Sequence, residues 1–141
     1  MTEPRYSYRN LALWQRAQEF TREIFVLVET LPTNRSSEVL RIQLLRAATS
    51  IAANIAEGHG RFSPAAYRNH LSIAKGSACE ADSWLDLLRR LGQIDAQTEA
   101  TLHQQCGVLI AALTNRMKAL EQKAGQGIRE EEERYLAGPD E

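Results

Sequence analysis

The chain has 141 residues, of which 43% are hydrophobic and 25% charged, with 8 glycines and 4 prolines. This length fits one domain, and this composition excludes collagen-like, wholly disordered and disulfide-scaffold proteins. No apolar run approaches the roughly 18–20 residues of a membrane helix, and the polar N-terminus lacks the apolar core of a signal peptide. Cys79 and Cys106 lack the CxxC spacing of a metal or redox site. We therefore expect a cytoplasmic protein with no metal or other cofactor and no membrane partner.

The formal net charge of −1 conceals an uneven distribution of charge along the chain. Residues 1–123 hold 15 basic and 12 acidic residues, whereas residues 124–141 hold 2 and 6. Within the first part, residues 35–75 hold 6 basic and 2 acidic residues, an excess of +4. The basic middle is a candidate nucleic-acid face, and the acidic tail could compete with nucleic acid for it.

The first two predicted elements are amphipathic helices. Apolar residues at steps of three and four predict the first helix, which ends before Pro32. This stripe is Leu13, Ala17, Phe20, Ile24, Val28 and Leu31. Ser36 or Ser37 is expected to cap the second helix, which stops near Gly58 and Gly60 in the left-handed conformation. The second stripe is Leu40, Leu44, Ala47, Ala48, Ile51 and Ile55.

Two further helices follow, each with a clear start signal. Ser63 and Pro64 begin the third helix as its cap and its first helical residue, and Gly92 ends it. Its stripe is Tyr67, Leu71, Ala74, Ala78, Ala81, Leu85 and Leu88. Asp95 is expected to cap the fourth helix. The fourth stripe is Leu102, Cys106, Leu109, Leu113, Met117 and Leu120.

Short links between helices of roughly 20–28 residues predict an all-α, antiparallel, up-down-up-down four-helix bundle. We assign residues 1–123 to this bundle domain. Residues 124–141 contain Gly125, Gly127 and the acidic run 130–133, and are predicted to form a frayed or disordered acidic tail.

Helices two and three have more apolar circumference than one bundle readily covers. On helix two, the polar residues fall within an arc of about 80°, and most of the remaining surface is apolar or small. These polar residues are Gln43, Arg46, Ser50, Asn54 and Glu57. Helix three has a second seam beside its main stripe: Ile73, Ser77, Glu80, Trp84, Leu87 and Leu91. We therefore expect a homo-oligomer whose interface uses the apolar members of this seam and helix two. The alternative is a wide core within the monomer.

The polar residues on these two surfaces are expected to form one hydrogen-bonded network. Buried carboxylates are costly unless paired, and Arg46 shares a stripe with Glu57. The expected members are Arg46, Ser50, Asn54, Glu57, Ser77 and Glu80. Such a network is either a binding or catalytic site or a structural element that fixes the register of an interface or core. The residue types favour the structural interpretation.

Two sequence blocks resemble a known family. Leu44–Ile51 followed by Asn54–Gly58 is similar to the RAA-S-I-x-x-N-I-A-E-G signature of four-helix bundle proteins encoded in intervening sequences of bacterial 23S ribosomal RNA genes. Leu71–Glu80 resembles that family's second block, FL-x-I-A-x-G-S-x-x-E, and Leu11–Ala17 is similar to its opening helix. A related branch is the accessory variability determinant of diversity-generating retroelements.

The resemblance implies a closed ring, most often a pentamer, and a role in binding RNA or other nucleic acid. For most members of the family, no biochemical function is established. Leu45 stands where the family often has an arginine, so this chain has one basic group fewer for phosphate contacts.

Three classes of function remain to be weighed. For a scaffold that binds RNA or DNA, the candidate contacts are Arg35, Arg41, Arg61, Arg68 and Lys75, with Tyr6, Tyr8 and Phe62 able to stack on bases. The sequence pI of about 6.3 is low for such a protein, and a solvated charged face is the alternative interpretation. A protein–protein adaptor without a nucleic-acid ligand is the second class.

An enzyme is the third class and the least supported. No Glu-x-x-His pair of a bundle metal site occurs, because Glu57 and His59 are only two residues apart. The histidines His59, His70 and His103 are scattered, and the serines and Cys79 lack an evident general base. Cys106 falls on the apolar stripe of helix four. We expect no enzymatic activity.

Overall fold

A computed structural model of the chain describes Pro4 and residues 7–137, apart from the side chains of Ile128 and Glu131. This part of the chain forms a short 3-10 turn at Tyr8–Asn10 and four α-helices, and it contains no strand. The helices are α1 (Ala12–Val28), α2 (Arg35–His59), α3 (Pro64–Arg90) and α4 (Ala96–Ala137). Each helix packs against the next along the chain, and α1 also contacts α4. The predicted all-α antiparallel four-helix bundle is confirmed.

The predicted apolar stripes meet in one core. Its largest fully buried side chains are Phe20, Ile24, Val28, Leu44, Ile51, Ile55, Leu71, Leu85, Leu88, Cys106, Leu109 and Leu113. One polar group joins two helices inside this core, since Thr21 of α1 directs its Oγ1 to the carbonyl oxygen of Ala48 in α2 at 3.0 Å. The buried hydroxyl is thereby satisfied, as a polar group removed from water must be.

The ends of α3 and the start of α4 follow the sequence signals. Ser63 Oγ accepts a hydrogen bond from the backbone N–H of Ala66 at 3.1 Å, and Asp95 Oδ1 accepts one from Thr98 at 2.7 Å. The hydrogen bond from Thr98 also holds the pKa of Asp95 below its usual value. Gly92 ends α3 with a φ of 72°, in the left-handed region where glycine is favoured.

The start of α2 differs from the predicted serine cap. Asn34 Oδ1 accepts the hydrogen bond from the backbone N–H of Ser37 at 2.9 Å, while Ser36 is exposed and caps nothing. Ser37 is completely buried and donates its hydroxyl to Gln93 Oε1 at 3.1 Å. Asparagine and serine are similar as caps, so the packing of Ser37 against the α3–α4 link decides between them.

Gly58 and Gly60 do not adopt the left-handed conformation that the sequence predicts for them. Gly60 has a φ of −78°, and Gly58 lies buried inside the last turn of α2. A Cβ at Gly58 would lie 2.7 Å from His70 Cβ and 2.9 Å from Tyr67 Cδ2 of α3. The missing side chain therefore serves the close approach of two helices rather than a turn.

The predicted disordered tail is wrong for residues 124–137, which continue α4, while residues 138–141 lie outside the described part of the chain. α4 has 42 residues and α3 has 27, so at about 1.5 Å per residue α4 projects roughly 20 Å past the bundle. A helix already nucleated on the bundle extends without a new nucleation cost, and the alanine, glutamine, arginine and glutamate of this segment favour helix. The boundary between a bundle domain and a tail at residue 123 stays a prediction.

The close contact at Gly58 gives a matched pair of alanine substitutions. Gly58→Ala should lower the free energy of unfolding by about 1–3 kcal/mol, because its methyl group has to displace His70 and Tyr67. Gly107→Ala should raise it by about 0.5–1 kcal/mol, because Gly107 is helical with nothing within 4 Å of the added Cβ. Urea unfolding followed by circular dichroism, at one fixed protein concentration, measures both. Equal stability of Gly58→Ala and the unsubstituted protein would refute the close approach.

Candidate functional site

A chain of hydrogen bonds joins α2 and α3 along their shared groove. Ser77 Oγ of α3 donates to Ser50 Oγ of α2 at 2.9 Å, and Asn54 Nδ2 donates to the same oxygen at 3.0 Å. Asn54 Oδ1 lies 3.2 Å from Nδ1 of His70. The structure thus brings together Ser50, Asn54 and Ser77, and it adds His70, which the sequence analysis left out. The spacing of residues in the sequence could have identified His70, because it lies seven residues, about two helical turns, before Ser77 on the same face of the helix.

This network ends at Arg61, which fixes the tautomer of His70. Arg61 Nε lies 3.2 Å from His70 Nε2, and Arg61 Nη2 lies 2.8 Å from Glu57 Oε1. Because a guanidinium only donates, His70 Nε2 must accept, and the ring proton sits on Nδ1, where it bonds to Asn54 Oδ1. One run of donors and acceptors therefore connects the middle of the groove to the α2–α3 link.

Arg46 and Glu80 lie outside the predicted network. Both side chains are exposed, on the outer surfaces of α2 and α3, and neither forms a hydrogen bond or ion pair with another described residue. The partner of Glu57 is Arg61, one helical turn away, rather than Arg46. The prediction assumed that these carboxylates are buried, whereas Glu57 and Glu80 are exposed in the single chain.

The five predicted basic contacts do not form one patch. Arg35 and Arg41 lie in the first two turns of α2, which is 25 residues or about 38 Å long, whereas Arg61 follows its other end and Arg68 lies in the second turn of α3. Three of the five are paired with carboxylates: Arg41 with Glu38, Arg61 with Glu57, and Arg68 with Glu121. Lys75 is half-buried and, among the described residues, has no carboxylate partner.

Arginines from three parts of the fold lie at the bundle end that holds the α2–α3 link, residues 60–63. We call Arg61, Arg68 and Arg116 the link-end cluster. Arg116 of α4 places its guanidinium carbon 5.7 Å from the centre of the Tyr67 ring, whose other contact is the edge-on ring of His59 at 5.9 Å. Arg116 was not predicted as a contact, because it lies outside the basic segment 35–75 that contains the predicted contacts. Antiparallel packing, which sets the middle of α4 beside the start of α3, was the signal.

The three candidate stacking aromatics have different environments. Phe62, in the α2–α3 link beside Arg61, is fully exposed. Tyr8 is half-buried and packs edge-on against Trp14, with 5.2 Å between ring centres. Tyr6 lies outside the described residues. Phe62 is therefore the aromatic side chain that the bundle end presents to solvent.

The predicted oligomer seam is partly covered by the chain itself. Trp84 and Leu87 are half-buried against the core, although Trp84 Nε1 is buried without a hydrogen-bond partner. Ile73 and Leu91 are about half exposed. Similar exposure is found on α2, so we call Val39, Ile42, Ile73 and Leu91 the α2–α3 outer face. The single chain leaves these four side chains about half exposed, whereas it packs Trp84 and Leu87, the larger members of the seam, against its own core.

Two other titratable groups are perturbed by their surroundings. His103 Nδ1 of α4 lies 2.7 Å from Asp82 Oδ1 of α3, and this hydrogen bond, with the charge of Asp82, raises the pKa of His103. Burial raises the pKa of Cys106 to about 12, and its thiol donates to the carbonyl oxygen of Ala78 at 3.1 Å. Cys79 is exposed. Cys106 is thus a protonated core residue, and a thiol in that state is a poor nucleophile.

The described part of the chain contains neither a metal-binding cluster nor a membrane-spanning helix. In Pro4 and residues 7–137, no three His, Cys, Asp or Glu side chains are grouped so that they could hold a metal ion. Over the same residues, no helix combines the length and the apolarity needed to cross a membrane.

The model of the 23S rRNA-intervening sequence protein family matches residues 9–115 of this chain. The fold is also similar to the crystal structure of a protein of unknown function from the S23 ribosomal protein family of Bacteroides thetaiotaomicron, with a TM-score of 0.72 and 30% sequence identity. That alignment covers 76% of this chain and 99% of the other. No curated protein matches the chain. The family match includes Arg61, Phe62 and Arg68 and ends one residue before Arg116.

The His103–Asp82 pair predicts a pH-dependent contribution to stability. Because the pKa of folded His103 is raised, the pair stabilises the fold fully below the unfolded value of about 6.5, and this contribution is lost as pH rises through the folded value. His103→Gln should therefore lower the urea midpoint in mildly acidic buffer and change it little in alkaline buffer. The control is Gln104→Ala, an exposed neighbour without a titratable group, whose effect should not vary with pH. A His103→Gln effect of the same size at both pH values would contradict this prediction.

Proposed function

The chain belongs to the 23S rRNA-intervening sequence protein family, and from this premise we propose that it is a non-enzymatic, homo-oligomeric scaffold that binds RNA through the link-end cluster. The similar solved protein has no known function. The observation that carries the proposal is the convergence of Arg61, Arg68 and Arg116 at one end of the bundle. Phosphate groups are bound by arginine and lysine side chains on accessible surfaces.

The carboxylates near the cluster are weak competitors for phosphate. The pairs Arg61–Glu57 and Arg68–Glu121 are roughly half exposed on both sides. Ion pairs of this kind typically contribute about 0–1 kcal/mol, so a phosphate that makes bidentate contacts with a guanidinium displaces the carboxylate at little cost. Arg116 lies over the Tyr67 ring and has no carboxylate partner among the described residues.

Because the sequence pI is only about 6.3, the chain as a whole is not basic, and RNA has to be bound by a local cluster of arginines that several copies of the chain repeat. One cluster of three arginines makes few phosphate contacts, which gives weak, salt-sensitive affinity. Several copies of the chain in one assembly present several clusters, and their combined avidity exceeds that of each alone. Self-association and RNA binding are therefore linked in this proposal.

The α2–α3 outer face supports the homo-oligomer. Four aliphatic side chains are about half exposed there, together with Arg46 on α2 and Glu80 on α3, which lack partners within the described chain. A second copy on this face buries the aliphatic groups and allows Arg46 of one copy to pair with Glu80 of another. The pentameric state follows from the family resemblance alone.

A protein–protein adaptor is the second candidate function. It is favoured by the same outer face, if a different protein rather than a second copy covers it. The adaptor requires no RNA affinity, so the following experiments separate the two.

Removing two cluster arginines tests RNA binding. The double variant Arg68→Gln/Arg116→Gln should weaken binding to a fluorescent RNA hairpin at low salt about tenfold or more. It should also reduce the slope of log affinity against log salt by about 2, one for each lost phosphate contact. Fluorescence anisotropy between about 50 and about 200 mM salt measures both quantities.

The matched control is Arg89→Gln/Arg90→Gln, which removes the same charge from the opposite end of α3. This control should bind RNA like the unsubstituted protein. If both double variants lose affinity equally, the contacts are not located at the link end. If the unsubstituted protein shows no affinity that falls with salt, the RNA-binding proposal is wrong.

Charge reversal tests the homo-oligomer. Arg46→Glu should lower the mass measured by light scattering at micromolar concentration, because it sets like charges opposite Glu80 of a second copy. Adding Glu80→Arg to the same chain should restore the mass. Val108→Glu is the control, since Val108 is as exposed as Ile73 but lies on α4. A monodisperse monomer for the unsubstituted protein would rule out self-association.

A further inference from the structure

Phe62 is an exposed aromatic side chain held on an ordered link. The backbone N–H of Gly60 bonds to Ala56 O at 3.1 Å, and that of Arg61 bonds to Gly58 O at 3.0 Å. On the other side, Ser63 caps α3 through the N–H of Ala66. The residues that flank Phe62 are therefore fixed, although its ring is fully exposed and contributes nothing to the core. Because the backbone on both sides is held, ligand binding to this ring has to order the Phe62 side chain but not the link.

The surroundings of Phe62 are polar and cationic rather than apolar. Arg61 precedes it, Ser63 follows it, and Arg68 and Arg116 are at the same bundle end. Protein hot spots cluster at the centre of a desolvated interface, and membrane-surface binding uses the whole apolar face of a helix, so both require more apolar surface than this single ring offers. A lone phenylalanine beside arginines matches a ligand with a flat apolar face and nearby negative charge. Nucleic-acid bases with their phosphates have this chemistry.

We propose that Phe62 stacks on an unpaired base, so that the link end recognises single-stranded RNA, such as a hairpin loop, in preference to a duplex. This inference rests on the proposed RNA-binding function and specifies the part of the RNA that is bound. In a duplex, the faces of the bases are covered by their neighbours and are not available for stacking. In a loop, an exposed base can stack on the Phe62 ring while the adjoining phosphates contact the link-end cluster.

The test compares four proteins on two RNAs. The proteins are the unsubstituted chain, Phe62→Ala, Phe62→Leu and Phe62→Trp. The RNAs are a hairpin with an unpaired loop and a blunt duplex with the same number of phosphates. Phe62→Ala and Phe62→Leu should bind the hairpin about fivefold to a hundredfold more weakly, which is the usual range for the loss of one stacked base. Phe62→Trp should retain the affinity, because it keeps an aromatic face.

Five further readouts distinguish stacking from other roles of Phe62. The affinity for the duplex and the salt slope for the hairpin should be the same in all four proteins, because no charge changes. A 2-aminopurine in the loop should change its fluorescence on binding the unsubstituted chain and should not do so with Phe62→Ala. Thermal unfolding and the mass in light scattering should also be unchanged, because Phe62 touches none of the core.

The possible negative results of this test can be told apart. If Phe62→Ala binds the hairpin as tightly as the unsubstituted chain, and both bind in a salt-dependent way, the stacking inference is wrong and the proposed function stands. If Phe62→Ala loses both RNAs equally or changes the assembly mass, Phe62 acts in self-association and the inference is also wrong. If the unsubstituted chain binds neither RNA, both proposals fall.

Discussion

The close packing of α2 against α3 at Gly58 is the constraint on which the rest of the arrangement depends. A side chain at this position would overlap His70 and Tyr67, so its absence allows the two backbones to approach. The approach brings His70 within reach of Asn54 on one side and Arg61 on the other. Tyr67, held in the same contact, supports Arg116 of α4. Three elements are thereby ordered around a single missing methyl group, and the α2–α3 link at their end is held in place.

The polar groove and the α2–α3 outer face are different structures, although the sequence presents them as one. The groove is satisfied within the chain, since Ser50, Asn54 and Ser77 bond to one another and to His70. The α2–α3 outer face is not satisfied within the chain, because its exposed aliphatic side chains lie on the same surface as two charges, Arg46 and Glu80, that have no partner among the described residues. Satisfied buried polar groups fix helix register, whereas unsatisfied surface groups favour a partner. The groove therefore fixes how α2 packs on α3 within one chain, whereas the outer face is the surface open to a partner.

Most of the fold could be predicted from the sequence because it depends on local signals. The period of the apolar stripes defines four helices, and Ser63, Asp95 and Gly92 act at their ends as their chemistry dictates. The misses at the start of α2 and at Gly58 involve packing between distant segments. Ser37 and Asn34 are similar caps in isolation, and only contact with Gln93 decides between them. The helical continuation past residue 124 was missed because glycine and acidic residues were weighed without the nucleated helix before them.

The candidate site could be predicted less well than the fold, for the same reason. Residue type and charge identified Arg61, Arg68 and Phe62, which lie in one sequence segment. Arg116 joins them only because α4 runs antiparallel to α3, and Arg35 and Arg41 are separated from them by the length of α2. Trp84 and Leu87 were assigned to a second interface, and part of each side chain already packs against the core of its own chain. A helical wheel gives the direction of a side chain but not the width of the space beside it.

The extension of α4 explains how a chain with an acidic end can keep a cationic site. The acidic run at residues 130–133 begins fourteen residues after Arg116, which is about 21 Å along a continuous helix. At physiological ionic strength the Debye length is about 8 Å, so the field of these carboxylates is largely screened at the link-end cluster. A flexible tail could fold back and occupy the cluster, as the charge distribution suggested, but a helix keeps the two charges apart. The acidic segment therefore lowers the net charge of the chain without neutralising the site where cations are needed.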